Sequence, residues 1–128
     1  MARILVIGAG VSGCTAAYTL AVGGADIVLI EKTDQIGGRV RTYGCKAVDD
    51  RCQNCGVCLT AGLWDKVSSH PRIQILTKSE VLDIKGKPGD FSVIVKNDHS
   101  AEKHDNIDTI IVSTGFDNQR DVFGIESV

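Results

Sequence analysis

The sequence of 128 residues lacks the features that would assign it to a membrane or to a nucleic acid. No apolar run approaches the roughly 18 residues that a transmembrane helix needs, so we expect no membrane insertion. No excess of basic charge is present either, because 14 Lys and Arg residues stand against 16 Asp and Glu residues, for a formal net charge of −2. This balance argues against a nucleic acid or an anionic membrane surface as partner.

The sequence also lacks the marks of an exported or two-cofactor protein. The first apolar run begins at Arg3, so we expect no signal or transit peptide. The five cysteines are an odd number and most are clustered, unlike a secreted disulfide framework, which favours a cytoplasmic protein with metal-ligating or redox thiols. No internal repeat or second GxGxxG is found, and we expect residues 1–128 to form a single Rossmann-type domain with a cysteine-rich loop at 45–58.

What the sequence does contain is a glycine pattern typical of a dinucleotide-binding turn. Gly8 and Gly10 follow the apolar run at 3–7 and precede a helical pattern at 12–22, and Gly13 lies in the first turn of that pattern. In such a unit the first glycine makes the turn, the second admits a pyrophosphate, and the third lets the helix pack on the strand. The helix N-terminus favours the anion through its unpaired N–H groups and dipole. The residues expected to bind the cofactor here are Gly8, Gly10, Val11, Ser12 and Gly13.

An acidic residue lies where a dinucleotide-binding unit requires one. The second apolar run, Asp26–Ile30, ends in Glu31, which stands 18 positions after Gly13. Such folds place there the carboxylate that accepts hydrogen bonds from the adenosine ribose. A carboxylate would repel a 2′-phosphate, so Glu31 favours FAD or NAD over NADP, and Lys32 beside it is a further candidate binding residue. The alternative is a structural glycine turn beside an ordinary Glu.

The remaining patterns complete an α/β fold of the Rossmann type, with a parallel sheet and a small antiparallel β-hairpin excursion. A short helix is predicted around 63–67 and ends before Pro71. The predicted later segments are a strand at 72–76, a hairpin of 81–84 and 91–95, a polar surface turn at 97–106 and a buried strand at 107–113; residues 118–128 show no usable periodicity.

A second glycine motif, Ile36–Thr42, follows the acidic residue closely. Glycine permits close backbone approach, and arginine can fork onto phosphate oxygens, so Gly38 and Arg39 are candidates to bind an extended dinucleotide. The motif resembles the RxGGRxxS/T sequence of glutathione-reductase-like flavoproteins, although Gln35 stands where those proteins have arginine. The resemblance implies an FAD site, whereas the alternative is a glycine-rich surface loop.

The end of the last predicted strand resembles another segment of the same flavoproteins. Ser113–Gly115 is similar to their "ATG" segment, which approaches the flavin. The resemblance therefore implies that Thr114 and Gly115 lie near the flavin.

Within that superfamily the chain resembles the A subunit of heterodisulfide reductases. The matching blocks are Ile36–Arg39, Cys55–Thr60, Ser69–Ile73, Thr77–Val81, Gly86–Phe91 and Ser113–Asp117. Family members are much longer and carry inserts and a segment closing the flavin site that this sequence does not contain, so the resemblance covers their N-terminal part. It implies a flavoprotein that works with other subunits of a redox complex or as a homodimer, and we expect these residues alone to hold FAD weakly or not at all.

Four clustered cysteines predict a metal or redox site. They follow the pattern C-x6-C-x2-C-x2-C and are Cys45, Cys52, Cys55 and Cys58. A CxxCxxC run turns three thiolates around one point, as in ferredoxin-type [4Fe–4S] sites, and Cys45 is the expected fourth ligand. Cys14 suits a helix core position instead. The alternatives are zinc, a redox dithiol such as Cys55 and Cys58, and thiols with no chemical role.

The sequence therefore predicts an FAD-binding, iron–sulfur-containing electron-transfer subunit or fragment of an oxidoreductase. FAD would exchange two electrons, and the cluster would pass them on singly. No catalytic acid or base is predicted, because the cofactors would supply the chemistry. The alternatives are a non-catalytic, truncated dinucleotide-binding module and a zinc-stabilised interaction protein.

Overall fold

The computed structural model describes residues 2–115, which form two α-helices, one 3₁₀ helix and seven strands. The helices are α1 (Val11–Val22) and α2 (Leu59–Ser69), with a 3₁₀ helix at Gly38–Thr42. The strands are β1 (Arg3–Ile7), β2 (Asp26–Ile30), β3 (Ile73–Leu76), β4 (Glu80–Lys87), β5 (Asp90–Lys96), β6 (Ala101–Ile107) and β7 (Thr109–Val112). Phe116, Asp117 and the segment at 118–128 lie outside the described residues.

A four-stranded parallel sheet in the order β3-β2-β1-β7 forms the centre of the fold. β1 pairs in parallel with β2 on one side and with β7 on the other. After β1 the chain builds β2 and β3 on one side of it, and β7 is later added on the other side. In open α/β sheets, ligands bind outside the carboxyl ends of the strands at such a switch of direction. The end of β1 is therefore where a binding site is expected.

Both faces of the parallel sheet are covered, which explains why β1 and β2 read as unbroken apolar runs. One face carries α1 and α2, and the small side chains of Cys14, Ala17 and Ala21 let α1 lie close to the sheet. The other face carries the antiparallel sheet β4-β5-β6, whose Val93, Val95 and Ile107 pack on Leu5, Val28 and Ile30. The result is a three-layer domain. No helix among residues 2–115 is long and apolar enough to cross a membrane.

The fold class is confirmed, with two corrections to its details. The predicted hairpin is present, but the prediction of a surface turn at 97–106 is wrong, because Ala101–Ile107 forms the strand β6. β6 pairs with β5 alone among the described strands, and only His104 and Ile107 are buried along it. Its formation depends on backbone pairing, so the sequence shows no apolar alternation there. The helix predicted around 63–67 extends at both ends to Leu59–Ser69.

Candidate functional site

The first glycine turn is fixed between the neighbours of β1. Gly8 has a φ of +100°, which favours glycine, and its N–H donates to the carbonyl oxygen of Ile30 at 2.8 Å. A methyl group at Gly8 would lie 2.3 Å from the carbonyl oxygen of Ser113. The turn is therefore held from both sides, by the end of β2 and by the residue that follows β7.

The third glycine of the motif lies where α1 meets the turn. A methyl group at Gly13 would lie 1.8 Å from the carbonyl oxygen of Gly8 and 2.7 Å from Oγ of Ser113. The Ser113 hydroxyl donates to the carbonyl oxygens of Gly8 and Ile7, at 2.9 and 3.0 Å. Only glycine fits this approach of helix to strand.

The second glycine has open space where the other two are crowded. Among residues 2–115, no atom outside Gly10 and its chain neighbours lies within 4 Å of the position that a methyl group at Gly10 would take. Val11 and Ser12 follow at the exposed start of α1, and no side chain of residues 2–115 caps that end. The first N–H groups of a helix have no partner within the helix. This arrangement leaves room and hydrogen-bond donors for a phosphate group.

The second glycine motif packs directly on the first. The N–H of Gly37 donates to the carbonyl oxygen of Ala9 at 2.6 Å. Gly38 has a φ of +61°, and a methyl group on it would lie 3.0 Å from Cα of Gly10. The Arg39 side chain is exposed beside this contact. The sequence did not indicate that Ala9 joins the two motifs, because a backbone carbonyl leaves no trace in residue type.

The Glu31 carboxylate is buried and anchored at the same turn. Its Oε1 accepts the N–H of Ala9 at 3.0 Å, and its Oε2 accepts the N–H and the hydroxyl of Thr33 at 3.0 and 2.7 Å. An ionised carboxylate offers about four acceptor positions, so at least one is left for a ribose hydroxyl. Lys32, the next residue, is exposed. The sequence analysis did not identify Thr33 as a hydrogen-bond partner of Glu31, although a threonine two residues after an acidic residue could have indicated such a contact.

The structure brings most of the predicted cofactor residues to one edge of the parallel sheet. Thr114 and Gly115 are exposed and directly follow Ser113, whose hydroxyl is bonded to the first turn. Their expected role beside a flavin stays a prediction, as does each individual binding role. Six residues of the two glycine motifs and the buried acid are called the glycine cradle below: Gly8, Gly10, Gly13, Glu31, Gly37 and Gly38.

All five cysteines are free thiols, in two different environments. Cys14 is buried beneath the glycine cradle, and its thiol donates to the carbonyl oxygen of Ala9 at 3.3 Å. Burial, with a smaller contribution from the Glu31 carboxylate, raises the pKa of the Cys14 thiol to about 12. The other four thiols are exposed: Cys45, Cys52, Cys55 and Cys58.

The segment 45–58, called the cysteine loop below, has little regular structure. Val48 and Arg51 form one isolated bridge, and the N–H of Asn54 donates to Sγ of Cys52 at 3.3 Å. Within residues 2–115 no three His, Cys, Asp or Glu side chains converge to hold a metal ion. The donor set itself suits an iron–sulfur cluster, since its spacing and its N–H···S contact are features of such sites. Binding of a cluster by Cys45, Cys52, Cys55 and Cys58 stays a prediction.

Comparison with known proteins gives a consistent result at the level of the sequence. Residues 6–73 match the family of NAD(P)-binding Rossmann-like domains. The A subunit of ferredoxin:CoB-CoM heterodisulfide reductase from Methanosarcina acetivorans is 38% identical over 92 residues, which are 71% of this chain and 12% of that protein. An iron-sulfur A subunit of CoB–CoM heterodisulfide reductase from Methanopyrus kandleri is 38% identical over 94 residues, 73% of this chain and 14% of that protein.

A solved structure extends the likeness to the fold. L-proline dehydrogenase from P. horikoshii superposes with a TM-score of 0.71 at 21% identity, covering 89% of this chain and 23% of that one. At this identity the match shows the fold alone. The chain thus corresponds to a small part of each of these proteins.

Proposed function

The chain belongs to the family of NAD(P)-binding Rossmann-like domains, and from this premise we propose that it binds FAD as the flavin-binding part of a heterodisulfide-reductase-like oxidoreductase. One observation carries the proposal: two glycine motifs meet at the carboxyl end of β1, beside open space over Gly10. That space adjoins the start of α1, where a pyrophosphate is favoured. The match to the A subunits of heterodisulfide reductases supports the reaction class.

The second motif favours FAD over a nicotinamide cofactor. The backbone of Gly38 approaches Cα of Gly10 so closely that the two motifs form a continuous surface. A dinucleotide extending past the first turn would follow that surface, and the exposed guanidinium of Arg39 would donate to a phosphate there. The Glu31 carboxylate, oriented by Ala9 and Thr33, would accept the adenosine ribose hydroxyls and would disfavour a 2′-phosphate.

FAD, when bound, would supply two-electron chemistry. The residues of this chain would bind and orient it, with the backbone of the glycine cradle at the pyrophosphate and Thr114 and Gly115 near the flavin. No side chain is assigned as a general acid or base. We propose that the protein is cytoplasmic and acts with other subunits of a redox complex or as a homodimer, since the relatives are themselves named as subunits.

For the cysteine loop we propose a [4Fe–4S] cluster held by Cys52, Cys55 and Cys58, with Cys45 as fourth ligand. The CxxCxxC spacing and the N–H of Asn54 directed at Sγ of Cys52 support this assignment. Each thiol of the set is exposed and so accessible to incoming iron. The cluster would transfer single electrons to or from the flavin.

The flavin proposal is tested by calorimetric titration of the purified chain with FAD, ADP, NAD and NADP. ADP should bind with one site per chain, FAD should bind weakly, and NADP should bind at least about tenfold more weakly than NAD because its 2′-phosphate meets the Glu31 carboxylate. If the chain binds none of FAD, NAD and ADP, the proposal is contradicted. The chain would then be a module that has the Rossmann-type fold but binds no dinucleotide.

The cluster proposal needs a separate measurement. After anaerobic reconstitution, iron and acid-labile sulfide should be present in equal amounts, with a broad brown absorption. Zinc without sulfide would indicate a zinc-stabilised interaction protein, and a Cys55–Cys58 disulfide without metal would indicate a dithiol.

A further inference from the structure

Gly37 of the second glycine motif is covered by a tryptophan from α2. Trp64 is the single tryptophan of the sequence, and its side chain is 7% exposed. A methyl group at Gly37 would lie 3.3 Å from Cε2 of Trp64. The indole ring therefore lies beside Gly37, on the side where another residue would carry its side chain.

The same glycine is held on its other sides by polar contacts. Its N–H donates to the carbonyl oxygen of Ala9, and Cβ and Nε of Arg41 lie beside it. Nε of Arg41 in turn donates to the carbonyl oxygen of Ile36 at 2.6 Å. A glycine has no side chain with which to fix its own position, so its neighbours determine where Gly37 and the following Gly38 lie.

We infer that Trp64 is a positioning residue for the dinucleotide site. By packing on Gly37 it keeps Gly38 against Gly10, where the two motifs form one surface. The inference rests on the proposed dinucleotide binding and adds to it a residue that no sequence motif marks. It also connects the two candidate sites, since Trp64 stands six positions after Cys58, about 9 Å along α2.

The alternative is that Trp64 fills the core and has no influence on the ligand. Leu63 provides a matched control, because it is half-buried, lies on the same helix and packs against the same core. The three atoms nearest to a methyl group at Gly37 belong to Arg41 and Trp64, so Leu63 is not among them. Core filling alone predicts that the two truncations lower stability and leave ligand affinity equal.

The test measures urea unfolding and ADP affinity for Trp64→Ala, Trp64→Phe and Leu63→Ala in the full chain. Trp64→Ala should bind ADP about tenfold more weakly than wild type, Trp64→Phe should lie between, and Leu63→Ala should bind as wild type. Gly38→Ala should also weaken binding, and the double variant with Trp64→Ala should bind no more weakly than Gly38→Ala, because both changes act on one contact.

Each outcome decides the inference. Equal ADP affinity for folded Trp64→Ala and Leu63→Ala would overturn it, as would full additivity with Gly38→Ala. If Trp64→Ala does not fold, Trp64→Phe decides, and wild-type affinity in that variant overturns the inference. A wild-type chain that binds neither ADP nor FAD would instead refute the proposed function, and the inference with it.

Discussion

The glycine cradle and the cysteine loop lie next to each other in sequence but are built in opposite ways. In the cradle, backbone meets backbone: Gly13 approaches Gly8, Gly38 approaches Gly10, and hydrogen bonds to Ala9 join the pieces. In the cysteine loop, residues 45–55 are all exposed, and the side chains of Cys52 and Gln53 form hydrogen bonds with other residues of the loop.

The difference shows which part of this domain is specified by the fold. The cradle lies at the ends of strands and helices that are buried by hydrophobic packing, whether or not a ligand is bound. Core packing therefore determines the geometry of its surface. The cysteine loop buries little apolar surface, and its conformation gains little from the hydrophobic effect. Such a loop depends on a bound metal, or on oxidation, for a defined arrangement of its thiols.

The largest effect is expected where the cradle is tightest. Gly13→Ala would place a methyl group 1.8 Å from the carbonyl oxygen of Gly8, so α1 must move away from β1. We expect the free energy of unfolding to fall by about 3 kcal/mol and ADP binding to be lost. Urea denaturation and calorimetry measure the two effects. Gly62→Ala, in an open position of α2, is the control and should gain about 0.5–1 kcal/mol; equal stability of both variants would contradict the packing described.

Gly10→Val separates binding from folding at the same turn. Gly10 has a φ of −75° and open space around it, so a side chain is tolerated by the backbone and by packing. Stability should stay within about 0.5 kcal/mol of wild type, whereas FAD and ADP binding should be lost because the side chain occupies the pyrophosphate position. Gly10→Ala should show a smaller loss. Wild-type affinity in the valine variant would mean that this turn holds no phosphate.

In the cysteine loop we expect a substitution to remove bound metal without lowering the free energy of unfolding. Cys55→Ser should deplete iron and sulfide together after anaerobic reconstitution, because a cluster needs all its thiolates, and should leave the apoprotein's unfolding unchanged. Cys14→Ala should leave the metal content unchanged and cost about 1 kcal/mol of stability through lost packing. Equal metal loss in the two variants would show that the proposed ligand set is wrong.

The elements of the cradle could be predicted from sequence because each has a local cause. The apolar runs at β1 and β2 require burial on both faces, and Gly8, Gly13 and Glu31 follow at the spacing of a strand–turn–helix–strand unit. β6 could not be predicted, because an outer strand with only His104 and Ile107 buried carries no apolar period.

The contacts that assemble the site were beyond sequence reasoning for a different reason. The bond from Gly37 to Ala9 joins backbone atoms, and the packing of Trp64 on Gly37 depends on where α2 docks. Neither is encoded by residue type at a fixed spacing. For the cysteine loop the situation is reversed. The spacing of its cysteines predicts metal ligands, whereas the contacts within the chain do not fix the positions of the four thiols.

A smaller effect is expected at Glu31, which belongs to the cradle by its side chain. Glu31→Gln keeps the shape and removes the charge, so ribose hydroxyls lose a charged acceptor and FAD affinity should fall by about 1–2 kcal/mol. Thr33→Val removes one of the bonds that orient the carboxylate and should cost less. Titration with NADP gives the internal check, since Glu31→Gln should narrow the preference for NAD over NADP. An unchanged preference would remove Glu31 from the ribose site.

The smallest effect is expected from the thiol that lies beneath the cradle, that of Cys14. Folding raises the pKa of Cys14 from 9.0 to about 12, so the folded chain retains a proton that the unfolded chain loses above pH 9. This contribution to stability is complete below pH 9 and declines as the pH rises toward 12. From pH 8 to pH 10 the free energy of unfolding should therefore fall by about 1 kcal/mol more in wild type than in Cys14→Ala. Urea denaturation at both pH values measures the difference. Equal declines in wild type and Cys14→Ala would show that Cys14 is not held protonated beneath the turn.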